Sequence, residues 1–234
     1  MPVDAPDRRA EAAGRTVVVA GGAGFVGRFV VDALLAEGAR VLLPTRRPGS
    51  VVVPEHDRLA VVGVASWDEP VEIATALAGR GWTADAAVVA LGGWWIGTPL
   101  LDLAPTAWRG LLESHLTAHL LAARALLPLL ATAAAAGADA AYVTLNGAAA
   151  REPMALSGPV SVAGAGQTML LDVLRAEGTP VRLHEVAVLA AVAGDDRNLD
   201  PVASVRGEDV ARTVLAVLGD TRAPASVDVT GTTA

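Results

Sequence analysis

The hydrophobic positions of this chain fall into short β-branched runs separated by longer segments in which apolar residues recur at helical spacing. The first run, Val17-Val18-Val19, breaks into Gly21, Gly22, Gly24 and Gly27, and an amphipathic segment with Phe25, Val26, Phe29, Val30, Leu34 and Leu35 follows. That pattern predicts strand, tight turn and helix. Arg40 to Leu43 supplies the second strand of a βαβ unit. Further strands are predicted over Leu59 to Val64, Ala86 to Leu91, Ala140 to Leu145, Val181 to Val188 and Ser226 to Val229. Helices are predicted over Glu69 to Leu77, Thr106 to Ala136, Val160 to Ala176 and Glu208 to Leu218; Pro128 should kink the second, and Gly178 with Pro180 ends the third. Seven strands alternating with helices define an α/β class of fold: a single-domain, Rossmann-type, doubly wound parallel sheet with helices on both faces. Its ligand should lie beyond the carboxyl ends of the strands.

A chain of 234 residues suits one such domain, with residues 1–14 as a flexible polar tail and 15–234 as the folded unit. The tail carries Arg8 and Arg9 but no apolar signal-peptide core. The longest apolar stretch, Leu120 to Ala136, is interrupted by Arg124 and Pro128 and reads as a buried core helix too short to span a bilayer. A net charge of −7 without a basic stripe argues against nucleic acid as a partner, and the absence of cysteine removes disulfides and thiolate metal sites. The expectation is a cytoplasmic protein with neither membrane nor nucleic acid as a partner.

Glycines at a strand-to-helix turn let the backbone approach a diphosphate, whose charge then sits on N–H groups at the positive end of the helix dipole. Gly21, Gly22, Gly24, Phe25, Val26 and Gly27 are the cofactor-binding candidates of this turn. The end of the second strand chooses the nucleotide. Instead of the acidic residue that would hold a ribose 2′-hydroxyl, the chain reads Leu43-Pro44-Thr45-Arg46-Arg47, and two guanidiniums suit a 2′-phosphate. NADP(H) is therefore the expected cofactor, with Thr45, Arg46 and Arg47 at its adenosine end.

The order of elements resembles the short-chain dehydrogenase/reductase (SDR) family from Arg15 to Thr232. Gly21, Gly24 and Gly27 match its glycine turn, Ala90-Leu91-Gly92-Gly93 stands where the family has Asn-Asn-Ala-Gly, and Trp108 to Leu130 looks like its fifth helix. Tyr142 to Leu145 followed by Asn146-Gly147 looks like its fifth strand, and Glu208-Asp209-Val210-Ala211 like the opening of its last helix. The resemblance implies that Ala90 and Gly92 lie beside the cofactor.

The catalytic half departs from that pattern. The family's usual chemistry needs a tyrosine and a lysine four residues apart, the ammonium lowering the phenol's pKa. This chain has no lysine, and its only tyrosine, Tyr142, falls inside a strand, where a packed ring with a bonded hydroxyl is expected. Alignment to the family pattern puts Gly147 at the serine, Val160 at the tyrosine, Gly164 at the lysine and His115 at the asparagine. His115 and Asn146 remain as catalytic candidates, and Trp94, Trp95 and Ser157 as the lining of a substrate pocket; Ser161 and Gln167 offer further hydrogen bonds nearby. His119, one helical turn from His115, makes an i, i+4 pair for which no third metal ligand suggests itself. Three functions fit: a redox-silent NADP(H)-binding member acting as a sensor or as the inactive subunit beside an active relative, a biosynthetic cyclase, isomerase or lyase acting on a hydrophobic substrate, or a reductase with another proton donor. Leu111, Leu112, Leu116, Leu120, Leu121, Leu126, Leu127 and Leu130 exceed what one helix face needs to cover a sheet, which predicts a homo- or hetero-oligomer.

Overall fold

A computed structural model describes residues 14–53, 55–67, 70–195 and 203–233. Its main sheet starts with β1 (Thr16–Ala20), the glycine turn and α1 (Phe25–Ala36), then β2 (Arg40–Thr45) and β3 (Leu59–Gly63). Next come α2 (Val71–Ala78), β4 (Ala86–Val89), α3 (Pro105–Leu112), α4 (Ala118–Ala135), β5 (Ala141–Gly147), α5 (Gly158–Glu177) and β6 (Arg182–Val188). Two short strands, β7 (Ala191–Val192) and β8 (Ala203–Val205), precede α6 (Gly207–Gly219), β9 (Ser226–Val229) and β10 (Thr232–Thr233). The seven-stranded sheet runs β3-β2-β1-β4-β5-β6-β9, and its pairings are parallel. The strand order reverses between β1 and β4, which opens a crevice at their carboxyl ends.

Both faces of the sheet are covered, which is why its strands read as continuous apolar runs instead of alternating ones. On β1, Val17 and Val19 pack with Val30, Val31 and Leu34 of α1 and with Val210 and Val214 of α6. Val18 and Ala20 face the other way, in a cluster with Ile73 of α2, Leu126 and Leu130 of α4 and Leu171 of α5.

Two features were not expected, and two expectations are corrected. A second sheet of β10, β8 and β7 stands beside the first; strands of two or three residues carry no periodicity to read. The long helix runs unbroken from Pro105 to Ala135, and its irregularity is a π turn at Glu113–Thr117 that links α3 to α4, while α4 continues through Pro128. By length and composition this helix could cross a membrane, yet Ala122, Ala123, Leu126, Leu130 and Ala133 lie against the sheet. His115 and His119 are buried with that stripe, whereas Leu120 and Arg124 face outward, so the helix covers the sheet with one side. Lastly, the Tyr142 ring is buried as expected, but its hydroxyl has no partner among the described residues. The expected tail lies, apart from Gly14, outside the described residues, as does the start of the helix predicted from Glu69.

Candidate functional site: a cleft beside the glycine turn

The turn after β1 is built so that backbone, and not side chain, faces the cleft. Gly21 has φ +81°, and a Cβ there would run into the Ala90 carbonyl; a Cβ on Gly27 would run into the Gly21 carbonyl. Only glycine admits this approach of turn, β4 and helix. Gly24, whose N–H bonds to Gly21 O at 2.9 Å, is the N-cap of α1 and offers no side chain to the first turn, which also holds no acid. The N–H groups of Phe25, Val26 and Gly27 are thus first-turn donors that no side chain caps, beside a cleft that all three residues line. This arrangement fits an anion such as a dinucleotide diphosphate.

The cleft measures about 350 Å³ and extends from this turn past the ends of β4, β5 and β6. Ala90 and Gly92 line it. Thr45, Arg46 and Arg47 stand apart, at the end of β2, with the Arg47 N–H bonded to Thr45 Oγ1 at 3.2 Å. Both guanidiniums are exposed, and no described carboxylate pairs with either. The far end is mostly apolar, with Leu145, Met154, Val160, Val188 and Leu189 among its walls.

The polar groups at that end are already engaged. His115 lies under Gly92, which has φ +95° and where a Cβ would stand 2.9 Å from His115 Cδ2, so a side chain there would be strained and crowded. Its Nε2 is 2.9 Å from Gly93 O, and its Nδ1 is 3.0 Å from Leu111 O and 2.9 Å from Ser114 Oγ. The π turn that carries His115 displaces its carbonyl from the usual helical pattern, and Gln167 Nε2 donates to that oxygen at 2.7 Å. Asn146 lines the cleft, but its Nδ2 donates to Gly164 O at 2.9 Å and to Glu185 Oε1 at 2.8 Å, and its Oδ1 accepts the Gly147 N–H at 2.9 Å. Ser161 Oγ accepts the Met154 N–H at 3.2 Å.

Of the residues expected at the substrate end, the cleft takes Trp94; Trp95 and Ser157 serve a neighbouring contact between two loops. Ser157 is buried and donates to Trp95 O at 2.8 Å, Gly97 N–H donates to Leu156 O at 2.9 Å, and the Trp95 indole lies against Gly97. Leu156 holds φ +64°, a left-handed conformation that costs a side-chain-bearing residue about 1–2 kcal/mol and is kept here by those two hydrogen bonds. His119 is likewise committed, with Nε2 3.2 Å from Leu91 O. Among the described residues no cluster of metal-ligating side chains occurs.

One group of the site has no sequence signal. Glu185 on β6, with 2% of its side chain exposed, forms an ion pair with Arg151 and accepts from Thr168 Oγ1 at 2.7 Å and Ser226 Oγ at 3.2 Å. Burial pushes its carboxyl up, but the hydrogen bonds from Asn146, Thr168 and Arg151 outweigh burial and hold it below the usual range. This network ties the loop after β5 to α5, β6 and β9 and so fixes one wall of the cleft.

Residues 17–90, less than half of the chain, match the model of the NAD dependent epimerase/dehydratase family. No curated protein matches the chain in sequence. Among solved structures, 3-ketoacyl-(acyl-carrier-protein) reductase from Brucella melitensis, complexed with NADH, superposes with a TM-score of 0.78 at 16% identity, over 94% of this chain and 98% of that one. A short-chain dehydrogenase from Burkholderia cenocepacia in complex with NADP gives 0.76 at 22% identity over 93% and 89%. A metagenomic short-chain oxidoreductase in complex with NADP gives 0.76 at 23% over 95% and 99%. The chain thus has the fold seen in short-chain dehydrogenase structures.

Proposed function

We propose that this protein is an atypical member of the SDR family whose residues 15–234 bind NADP(H) in the cytoplasm without the family's redox chemistry, as a sensor or as the inactive subunit of a complex. The observation that carries this reading is the state of the three aligned catalytic positions. Gly147, Val160 and Gly164 provide no hydroxyl, phenol or ammonium, and at Gly164 a Cβ would stand 3.0 Å from Ala150 Cβ and 3.1 Å from Asn146 Oδ1, so the space is closed as well as vacated. Bound nicotinamide would supply a hydride; this chain would hold the cofactor at the glycine turn, and its described residues offer the cleft no unengaged acid. General acid–base help of this kind is worth roughly 10²–10⁴-fold in rate. No appreciable NADPH oxidation is therefore expected with ketones, aldehydes or quinones, and robust turnover would sink the redox-silent reading.

Arg46 and Arg47, which pair with no described carboxylate, support NADP(H) over NAD(H). A charge-assisted contact to the 2′-phosphate is worth about 1.5–3 kcal/mol, so calorimetric titration should find NADPH bound about tenfold to a hundredfold more tightly than NADH. Equal affinities would mean that both arginines stay in water.

The apolar walls and Trp94 favour a second reading, a repurposed enzyme acting on a hydrophobic molecule, in which His115 orients the substrate. Loss of a cofactor-independent conversion in a folded His115→Ala variant would select it.

Val162, Met169 and Val173 form an exposed apolar stripe on α5, and Leu120 is exposed on α4. We read this as the surface for a second copy or for an active relative. Sedimentation should give a dimer or larger species at micromolar concentration; a monomer, alone and with a neighbouring homologue, speaks against it.

A further inference from the structure

Behind the cleft wall, between α4, β5 and α5, four polar side chains converge on one small enclosed space: His119, Tyr142, Thr144 and Gln167. They are 1%, 1%, 3% and 6% exposed. Each has one buried polar atom with no hydrogen-bond partner among the described residues: His119 Nδ1, the Tyr142 hydroxyl, Thr144 Oγ1 and Gln167 Oε1. Leu170, Leu171 and Leu174 help to close the rest of the boundary. A buried polar atom that makes no bond has forfeited the one it had to water, so such atoms are rare in folded interiors. Four around one space mark a site.

The inventory of donors and acceptors says what fits. A carbonyl only accepts, so the His119 Nε2 facing Leu91 O carries the ring's proton. Burial, opposed by that hydrogen bond, lowers the ring's pKa to about 4, which keeps it neutral and leaves Nδ1 a bare acceptor. Gln167 spends its amide nitrogen on His115 O, so the atom it presents is an acceptor too. Tyr142 and Thr144 each bring a hydroxyl hydrogen. Two acceptors and two donors complement one water molecule, which donates two hydrogen bonds and accepts two. We propose that this space is a built site for a single internal water, bonded to His119 Nδ1, Gln167 Oε1 and the Tyr142 and Thr144 hydroxyls. A metal or ammonium ion does not suit it, because no carboxylate lines the space and a buried ion needs a counter-charge. With the side chains where they stand the space has no spare volume for a water, so they must part slightly to admit it, a displacement that four satisfied bonds would offset.

The water has a consequence for the cleft. By holding Gln167 Oε1 it fixes the amide whose other end carries the His115 carbonyl at the π turn, and thereby the placement of His115 beneath Gly92. His119, Thr144 and Tyr142 are then positioning residues for a wall they do not touch.

A crystal structure of the full chain at a resolution that shows ordered water tests the site directly. One isolated peak within hydrogen-bonding distance of all four atoms is the expected result. A direct bond from the Tyr142 hydroxyl to His119 or Gln167, with no peak between them, overturns the proposal, as does a peak whose anomalous signal identifies a metal. Denaturation of Tyr142→Phe, Thr144→Val and the double variant gives a second readout. Two hydroxyls that share one water should be coupled by about threefold or more in the unfolding equilibrium constant, the second loss costing less than the first. Additive losses would mean that they share nothing. Neither measurement involves the cofactor, so the outcome is independent of whether the protein binds NADP(H).

Discussion

Replacing Arg151 with methionine is expected to lower stability by about 2–3 kcal/mol and to loosen the cleft wall, because it strands the Glu185 carboxylate in the core. Breaking a fully buried pair from one side costs roughly 3–5 kcal/mol; the smaller figure applies here because 31% of the Arg151 side chain remains in water. Asn146, Thr168 and Ser226 still donate to the carboxylate, so it is not orphaned, but its positive partner is gone. Removing both charges, as Arg151→Met with Glu185→Leu, leaves no uncompensated ion and should cost less than the two single losses added together. Urea denaturation at neutral pH measures all three variants. A single variant as stable as the parent would show that the pair is worth no more than a surface contact. The carboxyl of Glu185, held low in the fold, gives stability that is present above the unfolded value of 4.5 and is lost as pH falls below it. In the Arg151→Met protein, whose carboxyl is held less low, that loss should be smaller.

The parts of this molecule that sequence reveals are those whose physics is local. Val17 to Gly27 could be read because a β-branched run, a glycine cluster and an amphipathic helix each carry their own signature, and strands buried on both faces show as continuous apolar runs. The vacated catalytic positions were legible for the plainer reason that a chain without lysine cannot supply one. What escaped depends on neighbours distant in sequence. Arg151 meets Glu185 across 34 residues only because β5 and β6 align Thr144 with Glu185 and Asn146 with Ala187. Gln167 read as a generic polar residue until the π turn gave it the carbonyl of His115, 52 positions away. Trp95 and Ser157 carry pocket-forming chemistry, yet the contact of two loops, fixed by Leu156 in a left-handed conformation, turns both to packing. His115 followed the pattern to the cleft, but sequence held no sign that both its ring nitrogens would face neighbours on its own helix and on the loop after β4.

Acid should weaken this fold well above the range in which carboxylates titrate, and His119 is the main cause. In the unfolded chain an imidazole takes up its proton near pH 6.5, whereas in the folded protein burial lowers that value to about 4 against the opposing bond to Leu91 O and with a smaller push from His115. Between these two values the unfolded chain binds a proton that the folded one does not, so stability falls as pH falls from about 6.5 to about 4 and levels off below. A gap of that size corresponds to about 3 kcal/mol, a large share of the roughly 5–15 kcal/mol that holds a domain together. His184 moves in the same direction, lowered by burial, partly offset by its bond to Pro224 O, and lowered further by the nearby Arg182. Urea midpoints at pH 7.5, 6 and 5 should therefore decline steadily before Glu185 begins to contribute. His119→Gln keeps a donor for Leu91 O and removes the titration, so it should flatten most of that slope while leaving the part due to His184. A parent whose midpoint is unchanged between pH 7.5 and 5 would mean that protons reach the His119 ring in the folded state, and that α4 and β5 are not packed as tightly as the burial of His119 and Tyr142 requires.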